Sequence, residues 1–416
     1  MSDEGTPMED VETFRLRARA WLKDNMPPRP EGLAHQRNFD RCRVLQKKLY
    51  DGGFAGVCFP KEYGGLGLTP AHQHALDEET MAYEMPLALN IPTFGIIGAT
   101  LVEFCNHEQK LRYLPPMIRG EEVWVQFLSE PSSGSDLASL TTRATRDGDS
   151  FLLNGSKIWS SGAHAADYGI LVARSNWDVP KHDGITVLLV KIDAPGVTVE
   201  QIIDSGGGDE FCQEFFDDAR IPLSDVVGEI DSGWEVVRGL LANERNAMGN
   251  AAPLMSGVEV TRAERVKSDI FELAKETGQM QDHTVRQRVA EDFTLRFVED
   301  ELAGRIGGAM MKGQLNANGG ALLRLLVARA AVRRADMALE IAGPTAAAWK
   351  EGAPEAEAGV RYIRRQAAEM GGGTTEMQRN LISERLLQMP REVAADRGIP
   401  FKDVRHNAKA TERAKG

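Results

Sequence analysis

Apolar residues recur every three or four positions through most of the first 120 residues, which is the spacing of a buried helical face. The first such stretch, 11–22, is followed by Pro27 and Pro28, which stop a helix. The same spacing predicts further helices at 40–52, 69–85, 92–104 and 108–119. We therefore expect an N-terminal helical domain over residues 1–121.

The pattern changes at Glu122 into short runs that are rich in β-branched residues or alternate between polar and apolar. Turn-forming pairs such as Asp147-Gly148, Asn154-Gly155 and Pro195-Gly196 separate these runs. The runs are 123–128, 141–146, 151–153, 169–174, 184–192, 197–203 and 211–221. So many strands in about a hundred residues predict a compact antiparallel β-domain or barrel over residues 122–230, and we expect the barrel.

Helical periodicity returns after Gly233 and continues to about residue 390. Long helices rich in Ala, Leu, Val and Arg with short connections favour a four-helix-bundle-like C-terminal domain over residues 231–390. Its predicted helices are 233–257, 258–277, 284–304, 319–342 and 374–388. Residues 391–416 are expected to form a mobile charged tail. The predicted fold class is α+β, with the sheet domain between two helical domains.

One residue disturbs the apolar stripe of the helix predicted at 233–250. Glu244 falls on the same face as Val237 and Leu240, where a buried carboxylate is costly and its pKa tends to rise. A structural ion pair with Arg245 or Arg262 would explain it, and so would a catalytic base. This helix alone favours the structural explanation.

Composition limits the possible functions. The 416 residues carry a net charge of −12 and a pI near 5.3, which argues against general binding to nucleic acid. The acidic N-terminus lacks the features of a secretory signal, and the apolar run 185–190 is too short to span a membrane, so we expect a cytoplasmic protein. The four cysteines are scattered without a CxxC pair, so we expect reduced thiols and no metal site.

Three short motifs could bind a ligand. The loop FLSEPSSGSD at 127–136 exposes small residues whose amides and hydroxyls suit an anion or a polar ring, although such loops are often simple turns. NGSKIWSSG at 154–162 predicts a hairpin turn before a strand, whose Trp159 could cover a flat ring or pack in the core. GGGTTEM at 371–377 opens the last helix, with a capping box predicted from Thr375 to Gln378. The sequence contains no Rossmann fingerprint, P-loop or GxSxG motif.

Taken together, these motifs resemble the acyl-CoA dehydrogenase family. Residues 129–136, SEPSSGSD, are similar to the family's T-E-P-x-A-G-S-D, and residues 154–159, NGSKIW, to its N-G-x-K-x-W. Residues 216–222, FDDARIP, match F-x-D-V-R-V-P, and residues 372–380, GGTTEMQRN, match G-G-T-x-E-I-Q-R-N. The four motifs occur in the family's order, within a similarity that extends over about residues 10–390.

The resemblance implies an FAD enzyme that removes a proton from the α-carbon and a hydride from the β-carbon of an acyl-CoA thioester. It implies that electrons then pass to an electron-transferring flavoprotein. By position in the motifs, it implies roles near the flavin ring for Leu128, Ser129, Trp159 and Ser161. Gly134 and Ser135 would lie along flavin or substrate, Thr374 and Glu376 near the dinucleotide part of FAD, and Arg245 near the CoA moiety.

The catalytic base distinguishes this chain from many relatives. Many members of the family carry a glutamate directly before the Gly-Thr of the last motif, where this chain has Gly372. A smaller set carries the glutamate on the helix after the sheet domain, directly before an arginine, and Glu244-Arg245 matches that arrangement. The resemblance thus turns the interpretation of Glu244 from a structural residue to the base.

Two family segments are altered. The Arg-x-x-Phe-Gly that sends an arginine to a neighbouring subunit's FAD is replaced by residues 275–278, KETG, and Gln-x-x-Gly-Gly-x-Gly has become residues 340–346, EIAGPTA. Such changes resemble the heterotetrameric branch that acts on steroid side-chain CoA esters, although a homotetramer stays open. Two other functions also stay open, namely a non-catalytic subunit that supports an active partner and a flavin oxidase or monooxygenase.

Overall fold

The computed structural model describes residues 8–30, 38–248, 254–255, 257, 268–349, 353 and 355–404. The chain divides into two compact units. Unit one comprises Met1–Ile202, Asp209–Glu259 and Ala394–Gly416, and unit two comprises Ile203–Gly208 and Val260–Val393. The N-terminal helices and the sheet thus share one unit.

The N-terminal helices of unit one form where the apolar periodicity predicts them. Asp10 caps the first helix by accepting hydrogen bonds from the amides of Glu12 and Thr13 through its carboxylate, which satisfies free donors of the first turn. Phe14, Ala18 and Leu22 lie on its buried face. The helices in this region are α1 (Val11–Asn25), α2 (Phe39–Asp51), α3 (Pro70–Thr80), α4 (Leu87–Leu89), α5 (Ala99–Phe104) and α6 (His107–Ile118).

Between α4 and α5 the chain is wound as a π-helix over Asn90–Gly98, which we call the π-segment. Wide π-turns are rare and occur frequently at functional sites. The stretch Leu87–Phe104 has the length and apolar composition to cross a membrane, and 56% of it is buried inside the protein.

The sheet domain contains eight strands, β1 (Trp124–Phe127), β2 (Arg143–Asp147), β3 (Ser150–Ser161), β4 (Tyr168–Arg174), β5 (Ile185–Lys191), β6 (Val197–Ile202), β7 (Phe211–Pro222) and β8 (Val226–Val227). The strand order is β6-β7-β3-β2-β4-β5-β8, with β1 paired to β4. The predicted α+β fold class with a middle β-domain is confirmed, but the barrel form of that domain is wrong. The sheet is open, with β6 and β8 at its ends, and β1 and β4 run parallel. Local alternation predicts strands, but only long-range pairing decides whether a sheet closes.

The hairpin turn predicted at Asn154-Gly155 is also wrong. β3 continues through these residues, and its register against β7 shifts between Leu153 and Gly155. A side chain at Gly155 would collide with Thr142, since an ideal Cβ lies 2.8 Å from that residue's Cα. Gly155 therefore serves as the close-approach residue of a β-bulge.

After the sheet, Trp234–Met248 forms α7. Val237 and Leu240 are buried on its inner side, as the periodicity predicts, and so are Val236 and Ala247 beside them, whereas Leu241 of the predicted stripe is only half-buried. The remainder of the helix predicted at 233–257 extends into residues 249–253, which lie outside the described part of the chain, as does Arg262.

Unit two is helical in its described residues, in agreement with the predicted C-terminal helical domain. Its two long helices are linked by ion pairs, in which Arg333 contacts Glu291 at 2.6 Å and Arg334 contacts Asp292 at 2.8 Å. The helices are α8 (Asp269–Glu276), α9 (His283–Met311), α10 (Gly320–Ala342), α11 (Ala356–Arg364) and α12 (Thr375–Leu381).

Part of the segment predicted as a mobile tail is docked on the protein, at residues 400–404. Phe401 is fully buried, and its backbone N–H donates to the carbonyl of Val179 at 2.8 Å. The prediction fails here because it rests on the charged composition of the segment, whereas one aromatic residue, Phe401, stabilises the docked chain by its burial.

Candidate functional site

The first part of the candidate site is the loop that follows β1, residues 128–140, which we call the ligand loop. Its Glu130 is buried and accepts hydrogen bonds from the amides of Thr141 at 2.7 Å and Thr142 at 2.9 Å. Lys157 of β3 is fully buried, and its Nζ donates to Glu130 Oε1 and to the carbonyl of Leu128, both at 2.9 Å. The loop is thereby fastened to β3.

The charges of this pair are mutually dependent. Burial opposes ionisation of Glu130, but the charge and hydrogen bond of Lys157, with the donors of Thr141 and Thr142, outweigh it and lower the pKa of the carboxyl. Burial lowers the pKa of Lys157, and Glu130 counteracts that change. The sequence motifs alone indicate no role for either residue, although Glu130 lies in SEPSSGSD and Lys157 in NGSKIW.

The second part lies at the end of β3, at Trp159. Its φ is +69°, a left-handed conformation that is strained for a bulky residue, and the register against β7 shifts between Ile158 and Ser160. The indole is 55% exposed and meets the ring of Phe211 edge-on at 5.8 Å. The core position considered for Trp159 is therefore excluded. A strained backbone that displays a large aromatic ring is typical of a ligand contact.

The residues predicted to line the flavin lie around this bulge. Ser161 is exposed, whereas Ser160 between it and Trp159 is buried. The backbone of Ser129 accepts a hydrogen bond of 2.9 Å from the amide of Ile158, so the start of the ligand loop lies beside the bulge. Leu128 is 9% exposed, and Gly134 and Ser135 are exposed farther along the same loop.

Glu214 of β7 lies beneath the bulge and was not singled out from the sequence. It is fully buried, and burial raises its pKa to about 7 despite the hydrogen bond from Ser160. Its Oε1 has no hydrogen-bond partner in the described portion of the chain. Glu214 faces Lys157 across the strand pair, so the alternation of β7 alone could have suggested an inward-facing acid.

The third part is α7 and the π-segment. Glu244 is half-buried, one turn after the buried Leu240 and three residues before the buried Ala247. Burial lowers the pKa of the adjacent Arg245, and the Glu244 carboxylate acts in the opposite direction. The guanidinium of Arg245 lies within electrostatic range of Glu244.

Two contacts fix this turn of α7 against the π-segment and α5. Asn243 donates through Nδ2 to the hydroxyl of Thr100 at 3.2 Å, and that hydroxyl donates to the carbonyl of Ile96 at 2.7 Å. At Gly95 an ideal Cβ would come within 2.8 Å of Ala247 Cβ. The backbones therefore approach closely just beyond Glu244, and this turn of α7 is held against the π-segment.

A separate group of candidate residues lies in unit two. Gly372 and Gly373 have φ of +66° and +87°, and Thr374 caps α12 by accepting from the amide of Met377 at 3.2 Å. The predicted capping box from Thr375 to Gln378 is wrong by one residue. Glu376 is exposed in the first turn of α12. Gly372 has no side chain to accept a proton.

The part of the chain that the structure describes contains no group of three or more His, Cys, Asp or Glu residues arranged to hold a metal ion.

The order along the chain of helices, an open sheet and helices again is the architecture of the acyl-CoA dehydrogenases. Family models of the acyl-CoA dehydrogenase N-terminal, middle and C-terminal domains match residues 8–121, 126–219 and 231–387. The chain belongs to the acyl-CoA dehydrogenase family, an oxidoreductase family acting on acyl-CoA.

Among the relatives is acyl-CoA dehydrogenase IpdE1 of Mycobacterium tuberculosis, which is 34% identical over 92% of this chain and 99% of its own length. IpdE1 of Mycolicibacterium smegmatis is 33% identical over 93% of this chain and 100% of its own. Among solved structures, the Tcur3481-Tcur3483 steroid ACAD superposes with a TM-score of 0.73 at 28% identity, over 93% of this chain and 100% of that one. The ChsE4-ChsE5 complex from M. tuberculosis gives 0.69 at 25% identity, over 94% and 100%.

Proposed function

We propose that this protein catalyses the FAD-dependent α,β-desaturation of an acyl-CoA thioester, with Glu244 as the base that accepts the α-proton. One observation carries the assignment of the base. The position before the last Gly-Thr motif is Gly372, which has no acidic side chain, whereas a half-buried glutamate stands on the inner half of α7. The buried Leu240 and Ala247 lie on the same side of α7, and a base beside such apolar residues acts where water is largely excluded, which suits removal of a proton from carbon.

The residues at the end of β3 fit the isoalloxazine ring of FAD. The exposed face of Trp159 offers a flat apolar surface, the exposed hydroxyl of Ser161 offers a donor, and the Cβ position of Gly134 has no atom within 4 Å. Leu128 and Ser129 would border the ring from the start of the ligand loop. When bound, FAD supplies the acceptor for the hydride that leaves the β-carbon.

The other roles of the chain are binding roles. Ser135 would hold the substrate at the ligand loop and Arg245 would contact the anionic CoA moiety through its guanidinium. Thr374 and Glu376, at the start of α12, would hold the dinucleotide part of FAD. Glu244 would take the proton at its carboxylate oxygen, and the apolar residues of α7 would keep water from the reacting carbons.

We further propose a steroid-type or other bulky acyl-CoA as substrate, an electron-transferring flavoprotein as acceptor, and a homo- or heterotetramer as the assembly. Support for the bulky substrate comes from the likeness to the solved steroid ACAD. The replacement of the family's Arg-x-x-Phe-Gly by residues 275–278, KETG, supports an altered contact between subunits. The ChsE4-ChsE5 complex supports an assembly with a second chain. Native mass spectrometry of the chain, purified alone and co-expressed with a related subunit, distinguishes the two assemblies.

The test of the base compares Glu244→Gln with Glu235→Gln, an exposed glutamate in the first turn of the same helix. Stopped-flow bleaching of the flavin is recorded with straight-chain, branched and steroid acyl-CoAs. Glu244→Gln should retain FAD but slow bleaching about 10³-fold or more, because a positioned base is lost, whereas Glu235→Gln should match the wild type. Bleaching at the wild-type rate in Glu244→Gln would remove this residue from the role.

Assays on the same purified protein distinguish the competing functions. Turnover with ferricenium and little oxygen consumption supports the dehydrogenase, and rapid peroxide formation supports an oxidase. A chain that binds no FAD and gains no activity with any partner would be a supporting subunit.

A further inference from the structure

The charged C-terminal segment is bound to unit one through a small set of contacts. We call its described residues 394–404 the C-terminal strap. Pro400 forms an antiparallel bridge with Pro180, and the amide of Lys402 donates to the carbonyl of Trp177 at 2.9 Å. These contacts attach the strap to the connection between β4 and β5, residues 175–184, which we call the clamp loop.

The side chain of Phe401 anchors the strap. It is fully buried, with its ring centroid 5.2 Å from that of Trp177 and 3.9 Å from the guanidinium carbon of Arg174. A guanidinium over an aromatic face is attracted by the electron density of the ring, and more strongly when both are desolvated. Arg174 itself is fully buried at the end of β4.

Arg174 links the anchored strap to the ligand loop. Its Nη2 donates to the carbonyl of Ala138 in the ligand loop at 2.6 Å, and its Nη1 donates to the carbonyls of Lys181 and Asp183 in the clamp loop at 2.8 and 2.9 Å. The phenyl ring of Phe401 covers the cation that makes these three bonds. Loss of the ring would admit water to the guanidinium, and water would then compete for the donors that bond the two loops.

Lys181 makes the second link. Its Nζ lies 2.6 Å from the carboxylate of Asp396 in the strap and 2.9 Å from that of Asp136 in the ligand loop, and its side chain is only 13% exposed. Asp136 also accepts a hydrogen bond from Ser139 at 2.6 Å within the same loop. Asp136 directly follows Ser135, so the strap reaches the predicted substrate residue through two ion pairs.

We propose that the C-terminal strap holds the ligand loop in its binding conformation, with Lys181 and Arg174 as positioning residues for the acyl-CoA. This inference rests on the proposed function for the identity of the ligand. A loop that is ordered only part of the time binds its ligand with an affinity reduced by that fraction. Release of the strap should therefore weaken substrate binding and leave the chemical step largely intact.

The experiment uses four variants of the full chain. Asp396→Asn removes the strap charge from Lys181, and Asp396→Glu restores it. Phe401→Leu keeps an apolar anchor but loses the ring over Arg174. Lys402→Gln is the matched control, because it breaks the strap's exposed ion pair with Asp178, at 2.7 Å, which does not connect to the ligand loop.

Two measurements are made on each variant. Hydrogen exchange of the ligand-loop amides in the substrate-free protein reports loop order without any need for activity. Steady-state kinetics with ferricenium and the best acyl-CoA of the panel separates KM from kcat. We expect Asp396→Asn and Phe401→Leu to speed loop exchange and raise KM about tenfold, with kcat within about twofold of wild type. Asp396→Glu and Lys402→Gln should behave as wild type.

Unchanged exchange in the ligand loop of both Asp396→Asn and Phe401→Leu would overturn the proposal. So would a fall in kcat with no change in KM, because that result would place the strap's effect on the chemical step. If the wild type oxidises no acyl-CoA, the proposed function fails, and the exchange measurement still decides whether the strap orders the loop.

Discussion

Ser160 donates a hydrogen bond of 2.9 Å from its hydroxyl to Oε2 of Glu214, a carboxyl that is completely buried beneath the Trp159 bulge. The bond turns Ser160 inwards, while Trp159 and Ser161 on either side of it are exposed. The alternation that displays the candidate flavin-facing residues therefore depends on a buried acid of the neighbouring strand.

Stability should decrease with rising pH because of Glu214. Its pKa is about 7 in the folded protein against 4.5 for a free side chain, so between these values the folded state binds more protons than the unfolded state. The free energy of unfolding then falls as pH rises through this window, by at most about 3.5 kcal/mol at about 1.4 kcal/mol per pKa unit. Above pH 7 the contribution is lost.

Urea unfolding at pH 5 to about 8 measures this effect by comparison with Glu214→Gln, which keeps an acceptor for Ser160 but cannot ionise. The free energy of unfolding of Glu214→Gln should increase relative to that of the wild type as pH rises. Glu200→Gln, an exposed glutamate on β6, is the control and should leave the pH dependence unchanged. A constant difference between wild type and Glu214→Gln across the range would contradict the prediction.

Replacing only one partner of the pair Lys157–Glu130 should lower the free energy of unfolding strongly. Lys157→Met leaves the Glu130 carboxylate buried without its cation, and loss of one partner of a buried pair costs about 3–5 kcal/mol. Adding Glu130→Gln should recover part of that loss, since no charge then stays uncompensated. Chemical denaturation of the two single variants and the double variant gives the coupling energy. Lys191→Met, at the exposed pair with Asp193, should cost less than about 1 kcal/mol.

Trp159 should contribute to FAD binding and not to the stability of the fold. Its indole is more than half exposed and its φ is +69°, so Trp159→Gly relieves about 1 kcal/mol or more of backbone strain while removing the ring surface. We expect an unchanged or raised melting temperature together with a lower ratio of flavin to protein absorbance after gel filtration. Phe215→Ala, at an exposed aromatic on β7, should retain full flavin content. Equal flavin loss in both variants would mean that the ring of Trp159 has no particular role in binding FAD.

Gly95 should control the position of Glu244. Gly95→Ala places a Cβ 2.8 Å from Ala247 and 2.9 Å from the sulfur of Met255, so α7 must shift or the core must strain, at about 1–3 kcal/mol. We expect a lower melting temperature and a reduced rate of flavin bleaching at saturating substrate, because the base is displaced. The control is Gly304→Ala, in an exposed position of α9 with no atom near the new Cβ, which should be neutral or stabilising by about 0.5–1 kcal/mol.

Local patterns were sufficient for much of the fold. The apolar spacing from Val11 to Leu22 predicts α1 and its buried face, and the proline pair marks its end, because helix formation depends on neighbours three and four residues away. Val237 and Leu240 predict the inner side of α7 in the same way. The failures at Asn154-Gly155 and at the barrel concern pairing with distant strands, which alternation along one strand does not encode.

The sequence by itself determined the kinds of elements, their order, the family and the candidate base, since motifs and periodicity are written along the chain. Tertiary structure alone decided which side chains support the site. Lys157 meets Glu130 across 27 positions, Ser160 meets Glu214 across 54, and Lys181 joins Asp136 to a strap near the end of the chain. The first two pairs form only when folding removes both partners from water, because burial makes each charge or hydroxyl require a partner that no local pattern specifies.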